Sequence, residues 1–305
     1  MKKVLMTIVL IMGFAIFLGG CGNKESGSVN GVNYPLTITD STGSQVTIEK
    51  EPKKVVSFSP VVTETVTAIG KKNVLVGRTS FCDYPPSVES IPVVGNLTTR
   101  NMELVAGAEP DVVLASAFVD EGTKEQLKQL GIPLVVTYSS ESFNGAYDDI
   151  EMIGKVLNGK DKSKEVIDGM KSKVSSVETK VKETGNKPSV YYVLGFIKGD
   201  FTATGETFIN EMITMAGGTN IAADGTRWSY NKESLIEKNP DILILNNMAG
   251  TIDDLKNTEG YKDLDAVKNN KVYLIDSNLI NRAGPRLALG LEALAAIIHP
   301  EIFSK

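Results

Sequence analysis

At 305 residues, 42% hydrophobic and 23% charged, the chain has the composition of a soluble globular protein, long enough for one large domain or two of ordinary size. Its formal charge of −5 becomes −7 once a leader bearing Lys2 and Lys3 is removed, and an acidic surface argues against nucleic acid and anionic lipid as partners. The single histidine, His299, lies in the tail and no G-x-G-x-x-G or G-x-x-x-x-G-K-[ST] occurs, which argues against Ser/His or Cys/His catalysis, an imidazole metal site and nucleotide binding.

Lys2 and Lys3 precede an apolar run over residues 4–18, then Leu18-Gly19-Gly20-Cys21 and the polar stretch GNKESGS. A charged start, an apolar core too short for a comfortable membrane span and small residues before a cut describe a signal peptide over residues 1–20. Leu-Gly-Gly-Cys is similar to a lipobox, so Cys21 is expected to carry acyl chains and hold the protein at the outer face of a membrane. Residues 21–33, rich in Gly, Ser and Asn, read as a flexible tether. Cys82 is then the one free thiol, so no disulfide is expected.

A hairpin is predicted next, LTITD and QVTIE around Ser41-Thr42-Gly43-Ser44. Strands follow at residues 55–59, 74–77, 111–116 and 133–138. Helices alternate with them at 60–69, capped by Ser59 and opened by Pro60, and at about 101–108, 121–130 and 143–157. Short apolar runs alternating with helices imply a parallel sheet covered on both faces.

Residues 161–182 then read as one uninterrupted amphipathic helix, with Val166, Met170, Val174, Val177 and Val181 on a single stripe. It is expected to run about 33 Å. Two readings stand open: a spine joining two α/β lobes, or a surface helix of one domain. After it the alternation resumes, with strands at 189–196, 241–246 and 271–276 and helices at 206–216, 232–238 and 286–298, the last apolar nearly all round. The implied organisation is a first lobe over 34–158, a connecting helix over 159–185 and a second lobe over 186–305.

The two halves share a unit. In residues 102–114 and again in 232–244 a glutamate, Glu103 or Glu233, opens a short helix, and Pro-Asp follows seven residues later, directly before an apolar strand. Proline ends the helix and the strand begins at once. Each glutamate is also a residue that the helix dipole favours at an N-terminus.

Open α/β sheets place ligands beyond the C-terminal ends of their strands. The loops expected there carry Phe81 and Arg100 in the first half, and Phe201, Arg227, Trp228, Tyr230 and Arg282 in the second. Flat rings with guanidinium groups suit a large, flat, partly anionic molecule. An α/β enzyme working with cleft carboxylates, or an adhesin on the same scaffold, stays open as the reading from another class.

The phrases PKKVVSFSPVVTETVTAIG, FCDYPPSVESIPVVGN, NMELVAGAEPDVVLA, FTATGETF, NKESLIEKNPDILIL and NRAGPRLALGLEALAAIIHPE together resemble the substrate-binding proteins of ABC importers for cobalamin, ferric siderophores and haem. The resemblance covers essentially the whole mature chain. It implies two Rossmann-like lobes with parallel-rich sheets joined by one long helix, no enzymatic activity, no cofactor or resident metal, and a monomer that delivers an iron chelate of ferric-siderophore type or a corrinoid to a permease dimer and its ATPase, with a cobalamin-specific or haem-specific receptor as the alternative. It further implies that Glu103 and Glu233 pair with permease arginines, and that Phe81, Phe201, Trp228 and Arg282 enclose the ligand. The loop VVGNLTTRN carries Arg100 and lacks the tryptophan that some corrinoid binders have there, which leaves room for an anionic ferric chelate. With no histidine at hand, haem would need an axial tyrosine such as Tyr230.

Overall fold

The computed structural model describes residues 31–116, 119–197 and 199–303, so the expected signal peptide, Cys21 and most of the tether lie outside the described residues. No described helix is long and apolar enough to cross a membrane.

The chain opens with the predicted antiparallel hairpin, β1 (Leu36–Thr39) and β2 (Gln45–Ile48). Asp40 closes it by accepting from the Thr42 and Ser44 amides at 2.9 and 3.0 Å. There follow β3 (Val55–Ser57), α1 (Pro60–Ala68), β4 (Leu75–Gly77), α2 (Met102–Gly107), β5 (Val112–Ala115), α3 (Glu121–Gln129), β6 (Leu134–Val136) and α4 (Phe143–Val156). Ser59 caps α1 as expected, its hydroxyl accepting from the Val62 amide, with Pro60 at the first helical position. The strands form one wholly parallel sheet in the order β4-β3-β5-β6.

The long helix α5 (Lys160–Thr184) spans 25 residues, roughly 37 Å, and ends at Gly185 with φ 64°. Beyond it lie β7 (Ser189–Gly195), β8 (Phe201–Thr202), α6 (Phe208–Met215), β9 (Thr219–Asn220), α7 (Lys232–Lys238), β10 (Ile242–Asn246), α8 (Ile252–Asn257), α9 (Asp265–Lys268), β11 (Val272–Ile275), α10 (Ser277–Asn281), α11 (Leu287–Ile298) and α12 (Pro300–Phe303). Here the parallel strands run β9-β7-β10-β11, and the short β8 adds antiparallel to the C-terminal part of β7. Both sheets therefore place their second strand beside the first, then the third and the fourth.

The repeated unit works alike in each sheet. Glu109 and Asn239, just before the two prolines, hold left-handed φ values of 47° and 40°. The aspartate after each proline then ties down the start of the first strand. Asp111 accepts from the Lys53 and Lys54 amides at 2.8 and 2.9 Å, ahead of β3, and Asp241 accepts from the Ser189 amide and hydroxyl at 2.8 and 2.6 Å, opening β7. Proline ends the helix, and aspartate sets the register of the neighbouring strand.

The spine is more than a strut. Ile167, Met170 and Val177 are buried in a core shared with α6 and α11, while Val166 packs against both this core and the one beneath the β3 sheet. Ile167, absent from the predicted stripe, is thus on the buried side. At Gly154 of α4, an added Cβ would lie 2.3 Å from the Ser163 hydroxyl, so only glycine admits so close a crossing of α4 and α5. The apolar α11 is packed between α5 and α6, as its composition predicts.

A candidate functional site between the lobes

In the first sheet the strand order reverses between β3 and β5, where a crevice is expected. Ser59 and Ser116, just beyond these two strands, meet hydroxyl to hydroxyl at 2.7 Å. The neighbouring loop, residues 78–93, is folded around the buried Arg78. Its guanidinium donates to the carbonyls of Thr79, Cys82, Val88, Glu89 and Ile91 at 2.9 to 3.1 Å. Five carbonyl dipoles thus solvate one buried cation and hold Phe81, Asp83 and Tyr84 toward the second lobe. Cys82 is buried within this loop, its sulfur 3.2 Å from the Thr79 hydroxyl.

The facing wall comes from the second lobe. Trp228 sits in a four-residue turn, Thr226 to Ser229, in which both Arg227 and Trp228 have positive φ, 57° and 60°. Two successive non-glycine residues in the left-handed region cost roughly 1–2 kcal/mol each and persist only where the surroundings hold them. Here the Arg227 amide donates to Glu206, the Trp228 amide to the Thr204 hydroxyl at 3.2 Å, and the Trp228 carbonyl accepts from Thr202 at 2.9 Å. The turn aims the indole at the cleft.

Between the lobes lies a cavity of about 270 Å³. The second lobe lines it with Leu194, Phe208, Ile209, Trp228, Ile280, Asn281 and Ala283, and the first with Val61, Ser116, Tyr138, Glu141 and Asp149. One wall is apolar and aromatic, the other polar and acidic. Asp149 is only 4% exposed, and it accepts from the Ser139 hydroxyl at 2.7 Å and the Ser139 amide at 3.1 Å. Glu141 accepts from the Tyr138 hydroxyl at 3.0 Å.

Burial pushes the Asp149 carboxyl up to about 6, against the Ser139 hydrogen bonds and with the charge of Asp148 adding to the rise. The unfolded carboxyl ionises near 3.8, so the folded state keeps the proton longer, and stability is lost as pH rises from the unfolded value through the folded one. Asp149→Asn, which keeps the acceptor for Ser139, should therefore raise stability by about 2 kcal/mol near pH 7.5 and leave it nearly unchanged near pH 3, below the unfolded value. Urea unfolding at the two pH values measures this, and an equal gain at both would show that the charge is not the cause.

Beside the cavity, arginines of the second lobe clamp one carboxylate of the first. Arg282 donates to Glu64 at 2.8 Å and to Asp83 at 2.7 Å, and Arg286 takes Glu64 through both oxygens at 2.7 and 2.8 Å. The side chains of Glu64, Arg282 and Arg286 are 3%, 13% and 12% exposed. Arg286 also stacks on Tyr84, 3.8 Å from the ring centre. Burial favours the neutral forms, yet the hydrogen bonds outweigh it: Asp83 is held below the ordinary carboxylate range and both guanidinium groups are held more firmly protonated.

The structure distributes the predicted residues unevenly. Trp228 is in the cavity wall. Arg282 borders it, but its side chain turns to Glu64 and Asp83. Phe81 is half exposed at the same junction, its carbonyl 3.4 Å from Arg282, and Phe201 is half exposed on β8 beside the Trp228 turn. Arg227 is exposed. Arg100 is buried behind the first sheet, its guanidinium 5.0 Å from the Phe58 ring and 3.7 Å from Asp120. Tyr230 packs beside Tyr191, with Lys238 5.2 Å over its ring. Glu103 and Glu233 are exposed in the first turns of α2 and α7, capped by Asn101 and Asn231. His299 is fully buried against Gly217 and Glu301. Among the described residues no group of His, Cys, Asp and Glu is arranged to hold a metal ion.

Sequence reasoning missed Glu64, Arg286, Glu141 and Asp149. Two of them left a signal: Glu64 is the one charged residue in the α1 sequence, and Asp149 lies three residues from Ala146 and four from Ile153, on the buried stripe of α4.

Residues 55–279 match the sequence profile of the family described as periplasmic binding protein. YvrC of Bacillus subtilis, an uncharacterized ABC transporter substrate-binding lipoprotein, is 34% identical, over 95% of this chain and 96% of its own. A protein of Halobacterium salinarum named cobalamin-binding protein is 28% identical, over 88% of this chain and 75% of its own. Among solved structures, the periplasmic heme-binding protein RhuT from Roseiflexus in its apo form superposes with a TM-score of 0.73 at 23% identity, over 81% of this chain and 98% of its own.

Proposed function

Because the chain belongs to the periplasmic binding protein family, a class that binds and hands over its substrate without transforming it, we propose that it captures a metal chelate between its two lobes, an iron chelate or a corrinoid, with a haem-like ring as the alternative. It is a substrate-binding protein of an ABC transporter, and the partners this implies are a permease and an ATPase. The observation that carries the ligand class is the cavity at the C-terminal ends of both parallel sheets, where Trp228 is held in a strained turn against an apolar wall. Such a wall offers ring contact to a planar ligand, and the names of the relatives, cobalamin-binding and heme-binding, fit the same shape.

On this reading Trp228 contacts the ligand, Phe81 and Phe201 form the rim, and Arg282 acts from the lobe junction. Arg100, Arg227 and Tyr230, which lie away from the cavity wall, take part only if the lobes rearrange. Glu103 and Glu233 dock the permease, Cys21 carries the lipid anchor outside the cytoplasm, and the protein works as a monomer with residues 34–158 and 186–305 as its lobes. Trp228 is the chain's one tryptophan, so its emission reports on the cleft directly. Titration with cobalamin, haemin and a ferric hydroxamate should give saturable quenching by at least one of them. If none quenches and none binds by dialysis, the ligand class is wrong.

A further inference from the structure

The charge that the cleft shows its ligand can be read from its two walls. Among the described residues that line the cavity, the charged ones are Glu141 and Asp149, both acidic and both on the first lobe. Of the arginines around the cleft, Arg227 is exposed and outside the cavity wall, and the others are engaged elsewhere. Arg282 and Arg286 are turned to Glu64 and Asp83, and Arg100 lies behind the sheet beside Phe58 and Asp120. The hydroxyls on the same wall add little donor capacity: Tyr138 gives its proton to Glu141, and Ser116 is paired with Ser59. The first-lobe wall is therefore a surface of acceptors. The opposite wall is apolar apart from Asn281.

Resting on the reading of the cleft as a chelate site, we propose that Glu141 and Asp149 make it selective for a ligand whose rim carries hydrogen-bond donors or positive charge, and that they exclude carboxylate-rimmed chelates. A ring stacked on Trp228 places its edge against the first lobe, where carboxamide N–H groups or an ammonium meet the two carboxylates. A carboxylate edge would face two like charges in a partly desolvated site, one of them buried. To recruit an arginine instead, it would have to take Arg282 from Glu64 and Asp83 or reach beyond the cavity wall to Arg227. Of the arginines that made an anionic chelate the sequence-based expectation, Arg100 and Arg282 are thus already paired, and Arg227 is exposed outside the cavity wall.

Matched probes test this on the mature chain by isothermal titration calorimetry: dicyanocobinamide against dicyanocobyrinic acid, the same ring with amides or with carboxylates, and cationic ferrioxamine B against haemin. The expected result is that a donor-rimmed probe binds at least roughly tenfold more tightly than its carboxylate-bearing counterpart. Glu141→Gln with Asp149→Asn should close most of that gap. Glu141→Gln alone, on an exposed side chain ahead of α4 and its Ser142 cap, should narrow it without disturbing the fold. Carboxylate-bearing probes that bind as tightly as the others, or a gap that the variants leave untouched, would overturn the assignment. Failure of all four probes to bind would instead bring down the chelate-receptor reading beneath it, and the proposal with it.

Discussion

Glu64→Ala is expected to cost about 3–5 kcal/mol of the apposition of the two lobes, because it removes the one carboxylate that two buried guanidinium groups share. Asp83 would be left to serve Arg282 from a half-exposed position, and Arg286 would keep only its stack on Tyr84. The loss corresponds to about two to three and a half powers of ten in the ratio of closed to open forms, since each 1.4 kcal/mol is about tenfold. It should appear as faster hydrogen exchange at residues 280–286 and in the loop 78–93, and as a larger radius of gyration in solution scattering. The core of either lobe is not involved, so exchange in β5 and β10 should stay slow. Unchanged exchange at the junction would show that the clamp contributes nothing net. A second variant separates charge from contact: replacing Glu64, Arg282 and Arg286 together by leucine or methionine leaves no buried charge unpaired, and should restore much of the stability lost in Glu64→Ala. What the apolar set would lack is the fixed geometry of the bidentate pair, which locates the lobes relative to one another. Glu64→Ala also frees Arg282, so it should raise affinity for a carboxylate-bearing chelate, the reverse of its effect on the closed form.

The architecture was legible in the sequence wherever an element was long enough to show a period. The strands at β3, β5, β7 and β10, the capped α1 and the 25-residue α5 all lie where apolar spacing and caps place them. The two-residue strands β8 and β9 and the short helices α8 and α9 escaped, because each holds at most one or two periods, too few for a pattern to stand out. The candidate site was legible in part, for a physical reason. Trp228 stood out as a rare residue in a loop beyond a strand. A sequence does not say which way a guanidinium turns: Arg282 borders the cavity by position, yet its charge is spent on Glu64, some two hundred residues earlier in the chain. Arg78 carries the same lesson, as a cation solvated by five carbonyls that no motif announces.

Charge reversal at the two exposed helix starts proposed to dock the permease, Glu103→Lys with Glu233→Lys, is the second large effect expected, and it should fall on transport alone. Both side chains are exposed, each follows an asparagine cap, and among the described residues neither forms a salt bridge. Their local contribution is the helix-dipole interaction, about 0.3–1 kcal/mol apiece, so the variant should fold and melt close to the parent. Val105 and Leu235, two positions further on, are fully buried and fix each short helix to its lobe. The two strand orders and the two Pro-Asp ties are alike, so both carboxylates occupy corresponding places in similar units. A symmetric permease dimer bearing cations at matching positions would meet both at once, and the second contact would gain from the first as an intramolecular event. Reversal at one glutamate should therefore cut uptake by about tenfold, and reversal at both by a hundredfold or more, since like charges brought together cost several kcal/mol. Ligand affinity, read from Trp228 emission, should not change in either variant. Uptake that survives the double reversal would separate these glutamates from docking, and a loss of affinity alongside would place them in the service of the cleft instead.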